Sequence, residues 1–372
     1  MDSITHGITG ALVAKAFFSD KHGPAGTAAV TIGALFPDAD FFFDVFARNE
    51  FAVLELHRGV THSYVALPLF AALLAAVTKR FVPQKKFLTL FALYALGLAI
   101  HNFLDLITSF GTMIWSPLSR TRATLDLVFI VDFTFSAIVL FPQVLAWVYE
   151  ERVGALRRGL LVWLLASVLA VVVAQMVTGM AEVSFPWSPL LLASAIVAAV
   201  FSLPRAWGWG FRQPRAHFCR IGVATLLAYF ALCSVNHLLA IRKVGAFAAR
   251  EKLLVERLAA MPGPLSPFSW SGSVLTPGGV YQSWFSLLSS TAPEFTFYPT
   301  APFNRYIALA QAVPATQTYL WFARFPIVRY RQVGALHIVE YADVRFRAFR
   351  GRGSSFTFRV VLNTQGEVLS AG

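Results

Sequence analysis

Apolar runs approaching the roughly 20 residues of a membrane-spanning helix recur along the chain, at residues 87–107, 127–148, 160–178, 190–203 and 221–241. Shorter apolar segments precede them, one from His6, one over about residues 27–36 and one after His62, each bounded by histidine, aspartate or glycine. Beyond about residue 241 the period changes. A polar amphipathic stretch (247–260) and a Pro-rich linker (261–267) lead into alternating segments. Residues 270–274 and 280–285 flank Thr276-Pro277-Gly278-Gly279, a hairpin signal, and residues 344–347 and 356–362 also read as strands. Residues 306–322 read as helix interrupted at Pro314. The pattern predicts an all-α multi-pass membrane domain of about six to eight helices followed by a smaller β-rich soluble domain. Its parts are a metal-site helical region (1–126), scaffold helices (127–242) and an extramembrane domain (243–372).

Composition supports a bilayer as solvent: 57% of residues are hydrophobic and 13% charged, with a mean hydropathy of +0.62, where a soluble domain carries about 25% charged residues. The net charge of +12 would suit nucleic acid if it formed one stripe, but the basic residues sit in loops, so no nucleic-acid partner is expected. Lys79, Arg80, Lys85 and Lys86 flank one turn, Arg152, Arg157 and Arg158 another, and Arg205, Arg212, Arg215 and Arg220 a third, while residues 179–187 between them carry only Glu182. Under the positive-inside rule those basic loops face the cytoplasm, and everything after about Arg242 lies outside. The two cysteines, Cys219 and Cys233, fall in or beside the last apolar run and imply no disulfide framework.

Most of the early histidines and aspartates are gathered in five clusters: Asp2 with His6; Asp38 and Asp40, with Asp44 beyond; His57 and His62 within His-Arg-Gly-Val-Thr-His; His101 and Asp105; and Asp126 with Asp132. Ionisable groups at membrane depth are expensive and face an interior or an aqueous cavity. His101 and Asp105, four residues apart, project from one helix face, and Asp2 and His6 share the spacing. Tracing the direction of each apolar run places the starts of the first and third helices and the ends of the second and fourth on one side. That side is opposite the turn at 79–86, hence external. Imidazole and carboxylate without thiolate suit a catalytic divalent metal, zinc first, with manganese or iron as alternatives. Two metals would have room, polarising a phosphoryl or carbonyl oxygen and acidifying water. Arg58, Arg120 and Arg122 occupy the same loops and suit a phosphate.

The strings Met1-Asp2 with Thr5-His6, Gly33-Ala34-Leu35 with Pro37-Asp38-Ala39-Asp40, His57-Arg58-Gly59 with Thr61-His62-Ser63, and Gly97 with His101, Leu104-Asp105, Thr108, Gly111 and Pro117 resemble the YdjM-like family of inner-membrane-bound, metal-dependent hydrolases. The resemblance covers roughly residues 1–135. A more distant similarity is to zinc-dependent phospholipase C and related nucleases, which implies phosphodiester hydrolysis. It implies His6, Asp38, His62, His101 and Asp105 as metal ligands, with His57 and Asp40 as further ligands or their supports.

The expectation is a membrane-bound metal-dependent hydrolase of the inner membrane, acting on a phosphoester or ester of a lipid or envelope component among membrane lipids. Asp40 or Asp126 would serve as general base and Arg58 as anion contact. Two other classes fit part of the pattern: a metal-handling or ion transporter, and a membrane-anchored interaction protein with a structural metal site.

Overall fold

A computed structural model describes residues 1–41, 52–181, 187–208, 210–264, 266–349 and 356–372. Helix α1 (Ser3–Phe17) begins at Asp2, whose carboxylate accepts from the Thr5 amide at 2.9 Å and from its hydroxyl at 2.7 Å. Asp2 is therefore a helix cap and not the partner of His6 in a metal pair. Helix α2 (Ser19–Leu35) kinks at Gly23, where φ is 66°, just before Pro24. A 3-10 turn, Phe36–Asp40, follows with Pro37 at its start. Next come the short α3 (Ala52–Leu56), a 3-10 turn (Val60–His62), α4 (Leu67–Phe81) and α5 (Phe87–Leu106). The bundle continues with α6 (Phe133–Val148), α7 (Ala155–Ala181), α8 (Trp187–Trp207) and α9 (Arg215–Arg250).

Three of these are long and apolar enough to cross a bilayer, Phe87–Leu106, Ala155–Gln175 and Arg215–Arg250, and a fourth span arises if Leu54–His62 and Leu67–Phe81, bent by 70°, count as one. Phe133–Val148 and Trp187–Phe201 are further apolar stretches among the described residues, and the helical bundle followed by a β-rich region fits the expected architecture. Leu160, Leu161, Leu164, Leu165, Leu191 and Leu192 are exposed on α7 and α8, a surface suited to lipid. Helix α9 runs to Arg250, past the end expected near 242. Its Val244 and Ala248 are buried against Trp270 and Val274 of the β-rich region, so the helix is held by packing beyond its last apolar turn.

Helices α2 and α5 cross closely at two glycines. A Cβ on Gly97 would stand 2.3 Å from the Val30 carbonyl oxygen, and one on Gly33 2.8 Å from that of Tyr94. Gly97→Leu is expected to lower stability by about 3 kcal/mol or more through overpacking. In a detergent thermal melt, Gly245→Ala, whose Cβ meets open space, should leave the midpoint unchanged or raised.

The C-terminal part forms two antiparallel four-stranded sheets. The first, in the order β1-β2-β3-β4, comprises β1 (Arg257–Pro262), β2 (Ser269–Thr276), β3 (Gly279–Ser286) and β4 (Thr296–Pro299), with Thr276 opposite Gly279 across the expected Pro277-Gly278 hairpin. Strands β5 (Pro326–Val333), β6 (Leu336–Asp343), β7 (Thr357–Leu362) and β8 (Val368–Ala371) make the second. Between the sheets, α10 (Arg305–Gln311) and α11 (Pro314–Phe322) divide at Pro314, which starts the second helix instead of breaking one. Ile307, Ala310 and Tyr319 bury against Val339, Tyr341, Phe358 and Val360.

Residues 344–347, expected as strand, lie in a 3-10 turn, Val344–Phe349. Asp343 ends β6 by accepting from the Arg345 amide at 3.0 Å and from its Nε at 2.8 Å, which curls the chain back.

Candidate metal centre

Helix α5 carries His101 and Asp105 on one face; the turn after α2 supplies Asp38, and the turn before α4 supplies His62. Asp38, His62, His101 and Asp105 each place a donor atom within 4.8 Å of the others. Asp38 Oδ1 lies 3.5 Å from Nε2 of both His62 and His101, while Asp105 Oδ2 lies 3.2 Å and 3.6 Å from the same two nitrogens. His62, His101 and Asp105 are fully buried and the Asp38 side chain is 15% exposed. Nε2 of both histidines and Oδ2 of Asp105, which face one another, have no hydrogen-bond partner, and neither has Asp38 Oδ2, the oxygen beside the one that faces them. Buried polar atoms are almost always partnered, so orphaned donors converging on one point require a cation or ordered water. Tetrahedral coordination at about 2.0–2.1 Å sets donors about 3.3 Å apart, which matches these spacings. The donor set therefore fits a divalent metal. Both cysteines are buried in α9 and contribute nothing to it.

Outer contacts orient these donors. His101 donates from Nδ1 to the Ala34 carbonyl at 2.7 Å, which leaves the Nε2 lone pair facing the cluster. Thr61 donates to Asp40 Oδ2 at 2.9 Å, so its oxygen is free to accept from His62 Nδ1 at 3.0 Å, and His62 is fixed in the same tautomer. His6 stands outside the four-donor group. It stacks on His101 with ring centroids 3.8 Å apart and places Nε2 3.1 Å from Asp105 Oδ1. The Met1 amino group also contacts that oxygen.

Asp40 is bound to its surroundings on both oxygens: Oδ1 accepts from His57 Nδ1 at 3.0 Å, and Oδ2 from the Arg58 amide at 3.2 Å as well as Thr61. Burial raises the pKa of its carboxyl, but the His57 hydrogen bond and the adjacent His62 imidazole outweigh this and hold it below the usual carboxylate range. Burial likewise opposes ionisation of Asp38, and the neighbouring His62, His101 and His6 imidazoles overcome it. A carboxylate so occupied is a poor general base, and Asp40 is better read as the group that orients His57.

Arg58 is only 3% exposed and adopts a φ of 61°, in the left-handed region. Its guanidinium pairs with Asp105 Oδ1 at 2.9 Å and donates to Thr108 at 3.2 Å, so it neutralises a ligand instead of presenting itself to a substrate. Asp126 is not among the cluster residues. Both its oxygens accept from Arg324 at 2.7 Å, across the junction with the C-terminal region. Asp132 caps α6 and accepts from Tyr229 at 2.7 Å; Asp44 lies outside the described residues.

The β-rich region is seated on the metal-bearing end of the bundle. Besides Arg324, Arg345 donates to the Ser109 carbonyl at 3.1 Å, Trp321 to that of Arg120 at 3.1 Å, and Thr318 to Glu55 at 2.9 Å. These residues could not be found in the sequence, being 198 to 263 positions from their partners without any local motif. Arg324→Ala would leave Asp126 nearly buried and unpaired, and is expected to lower stability by about 3 kcal/mol. The loss should appear as faster amide exchange in both 109–127 and 322–345, with metal content unchanged.

Fold and site together define a membrane protein whose helical N-terminal part encloses a His/Asp centre under a β-rich cover. The model of the family of YdjM inner membrane proteins matches residues 1–181, and the resemblance read from the sequence is borne out there. The uncharacterized protein YfhP of Bacillus subtilis (strain 168) is 32% identical over 135 residues, 34% of this chain and 41% of that relative's length, so the shared segment is less than half of either. No solved structure matches.

Proposed function

We propose that the chain is a membrane-bound, metal-dependent hydrolase acting on a phosphoester or ester of a lipid or envelope component. The observation that carries this reading is the set of four converging donors with unpartnered atoms beside a histidine whose tautomer is fixed. Asp38, His62, His101 and Asp105 would hold the cation, zinc first. Such a cation supplies Lewis acidity toward a phosphoryl or carbonyl oxygen and lowers the pKa of water. His57, 23% exposed and held at Nδ1 by Asp40, moves a proton at Nε2. Arg58 and His6 hold Asp105 in place, and the packed bundle keeps bulk water from the buried donors. The basic turn before α5 lies about 22 Å from His101 at 1.5 Å per residue, which supports an external, periplasmic centre with cytoplasmic Lys79, Arg80, Lys85 and Lys86.

A second reading, a membrane-anchored interaction protein with a structural metal, is favoured by one feature: four protein donors are enough to close a tetrahedral shell. The two readings separate in a hydrolysis screen of detergent-purified protein on chromogenic phosphodiester, phosphomonoester and carboxylic ester substrates. Activity should appear with zinc, manganese or iron and vanish with chelator. A metal-loaded, folded protein inert on every substrate favours the structural reading.

A further inference from the structure

Two cavities lie at the junction of the helical and β-rich regions, and Phe110 lines both. One, of about 630 Å³, is lined by Arg120, Arg122, Arg257 and Arg324 together with Trp321 and Phe322. No carboxylate is in that lining. Glu55 pairs with Arg120 and Asp126 with Arg324, whereas Arg122 donates to the carbonyls of Leu54 and Gly111, and Arg257 to that of Arg324. Neither Arg122 nor Arg257 has a carboxylate partner among the described residues. Arg122 also keeps a buried Nε without a partner, and burial and the nearby Arg58 and Arg345 guanidiniums push its pKa down. Such a cluster selects an anion able to accept several hydrogen bonds, which is the chemistry of phosphate.

The second cavity, of about 320 Å³, is lined by Phe129 and Ile130 of the segment entering α6, by Met261 and Trp284 of the first sheet, and by Phe346. Its walls are mainly apolar, with Ser109, Ser271 and Arg345 as polar members, and Phe129 and Ile130 lie just before the apolar helix α6. Phe110 also connects both cavities to the centre, with its ring 6.1 Å from that of His57 and 4.7 Å below the Arg58 guanidinium. The metal donors are in the lining of neither cavity.

The geometry points to a bipartite phospholipid site: Arg122 and Arg257 hold the phosphate, the second cavity takes the start of an acyl chain, and the C-terminal region supplies half of the substrate-binding surface. This rests on the hydrolase reading for its purpose but not for its test, because binding can be measured without turnover. Charge complementarity selects an anionic phospholipid over a neutral lipid, and the apolar cavity selects it over free phosphate.

The test uses the full chain in nanodiscs with chelator present and a phosphatidic acid carrying a photoreactive group on its acyl chain. Labelled peptides should map to the segments containing Ile130 and Trp284. Arg257→Gln, at an exposed position, and Ile130→Trp, which fills the apolar cavity, should each reduce labelling about tenfold, the effect of losing one charge-assisted contact or its packing equivalent. Inorganic phosphate should compete only at much higher concentration than phosphatidic acid, and the matching diacylglycerol probe should label weakly. Equal labelling of wild type and both variants, equal labelling by diacylglycerol, or full displacement by equimolar phosphate would each overturn the inference. Hydrolysis of soluble esters with unchanged lipid labelling would sink this site and spare the hydrolase reading, whereas arginine-dependent labelling of a protein inert on every ester would do the reverse.

Discussion

Asp105→Ala is expected to prevent accumulation of folded protein, while Asp105→Asn should fold and bind no stoichiometric metal. Asp105 is completely buried and lies against Arg58, His6, His62 and His101. Removing it leaves the 3% exposed Arg58 guanidinium without its counter-charge, which costs about 3–5 kcal/mol, a large share of a typical total stability of about 5–15 kcal/mol. Asparagine keeps the shape and one acceptor for Arg58 but gives up the anionic donor. Metal affinity should then fall by more than the roughly 100-fold that loss of an outer hydrogen-bond partner causes. Monodispersity in detergent reads the first effect and elemental analysis of the same samples the second. An Asp105→Asn protein that folds and retains full metal would remove Asp105 from the donor set.

His57→Ala should do the opposite, keeping the fold and the metal while lowering turnover by about 10²–10⁴-fold, the range associated with loss of a positioned acid or base. His57 is outside the four-donor group, is held by Asp40 at 3.0 Å and rests edge-on to Phe110. Its removal leaves Asp40 with the Arg58 amide and Thr61, so His62 stays oriented. The measurement is turnover on whichever ester the screen identifies, beside metal content. Full turnover in His57→Ala would deny it a proton-transfer role, and loss of metal would make it a ligand.

The pair on α5 was legible because an uninterrupted apolar helix fixes which residues four apart share a face, and the topology alone brought Asp38 and His62 to the same end. Asp2 shows the limit of that spacing rule. An aspartate four residues before a histidine can be a ligand pair or a helix cap, and only the Thr5 amide distinguishes them. Arg58 and Asp126 illustrate a second limit. Their residue types suit phosphate binding and base catalysis, but each is committed to a partner that no local pattern reveals, one of them on the far side of a domain junction. The strand expected at 344–347 failed for a similar reason, since alternation of apolar and basic residues says nothing of Asp343 reaching forward to pull Arg345 out of line. Gly97, one of the residues that carry the family resemblance, lies where α5 crosses Val30 of α2 most closely.

X-ray absorption at the metal edge of the purified, reconstituted protein tests the four-residue centre most directly. A stoichiometric metal with a mixed imidazole and carboxylate shell and no sulfur is the expected result, and the imidazole contribution should decrease in His101→Ala. Folded wild type that takes up no transition metal, or whose histidine contribution is unchanged in that variant, would contradict the centre formed by Asp38, His62, His101 and Asp105.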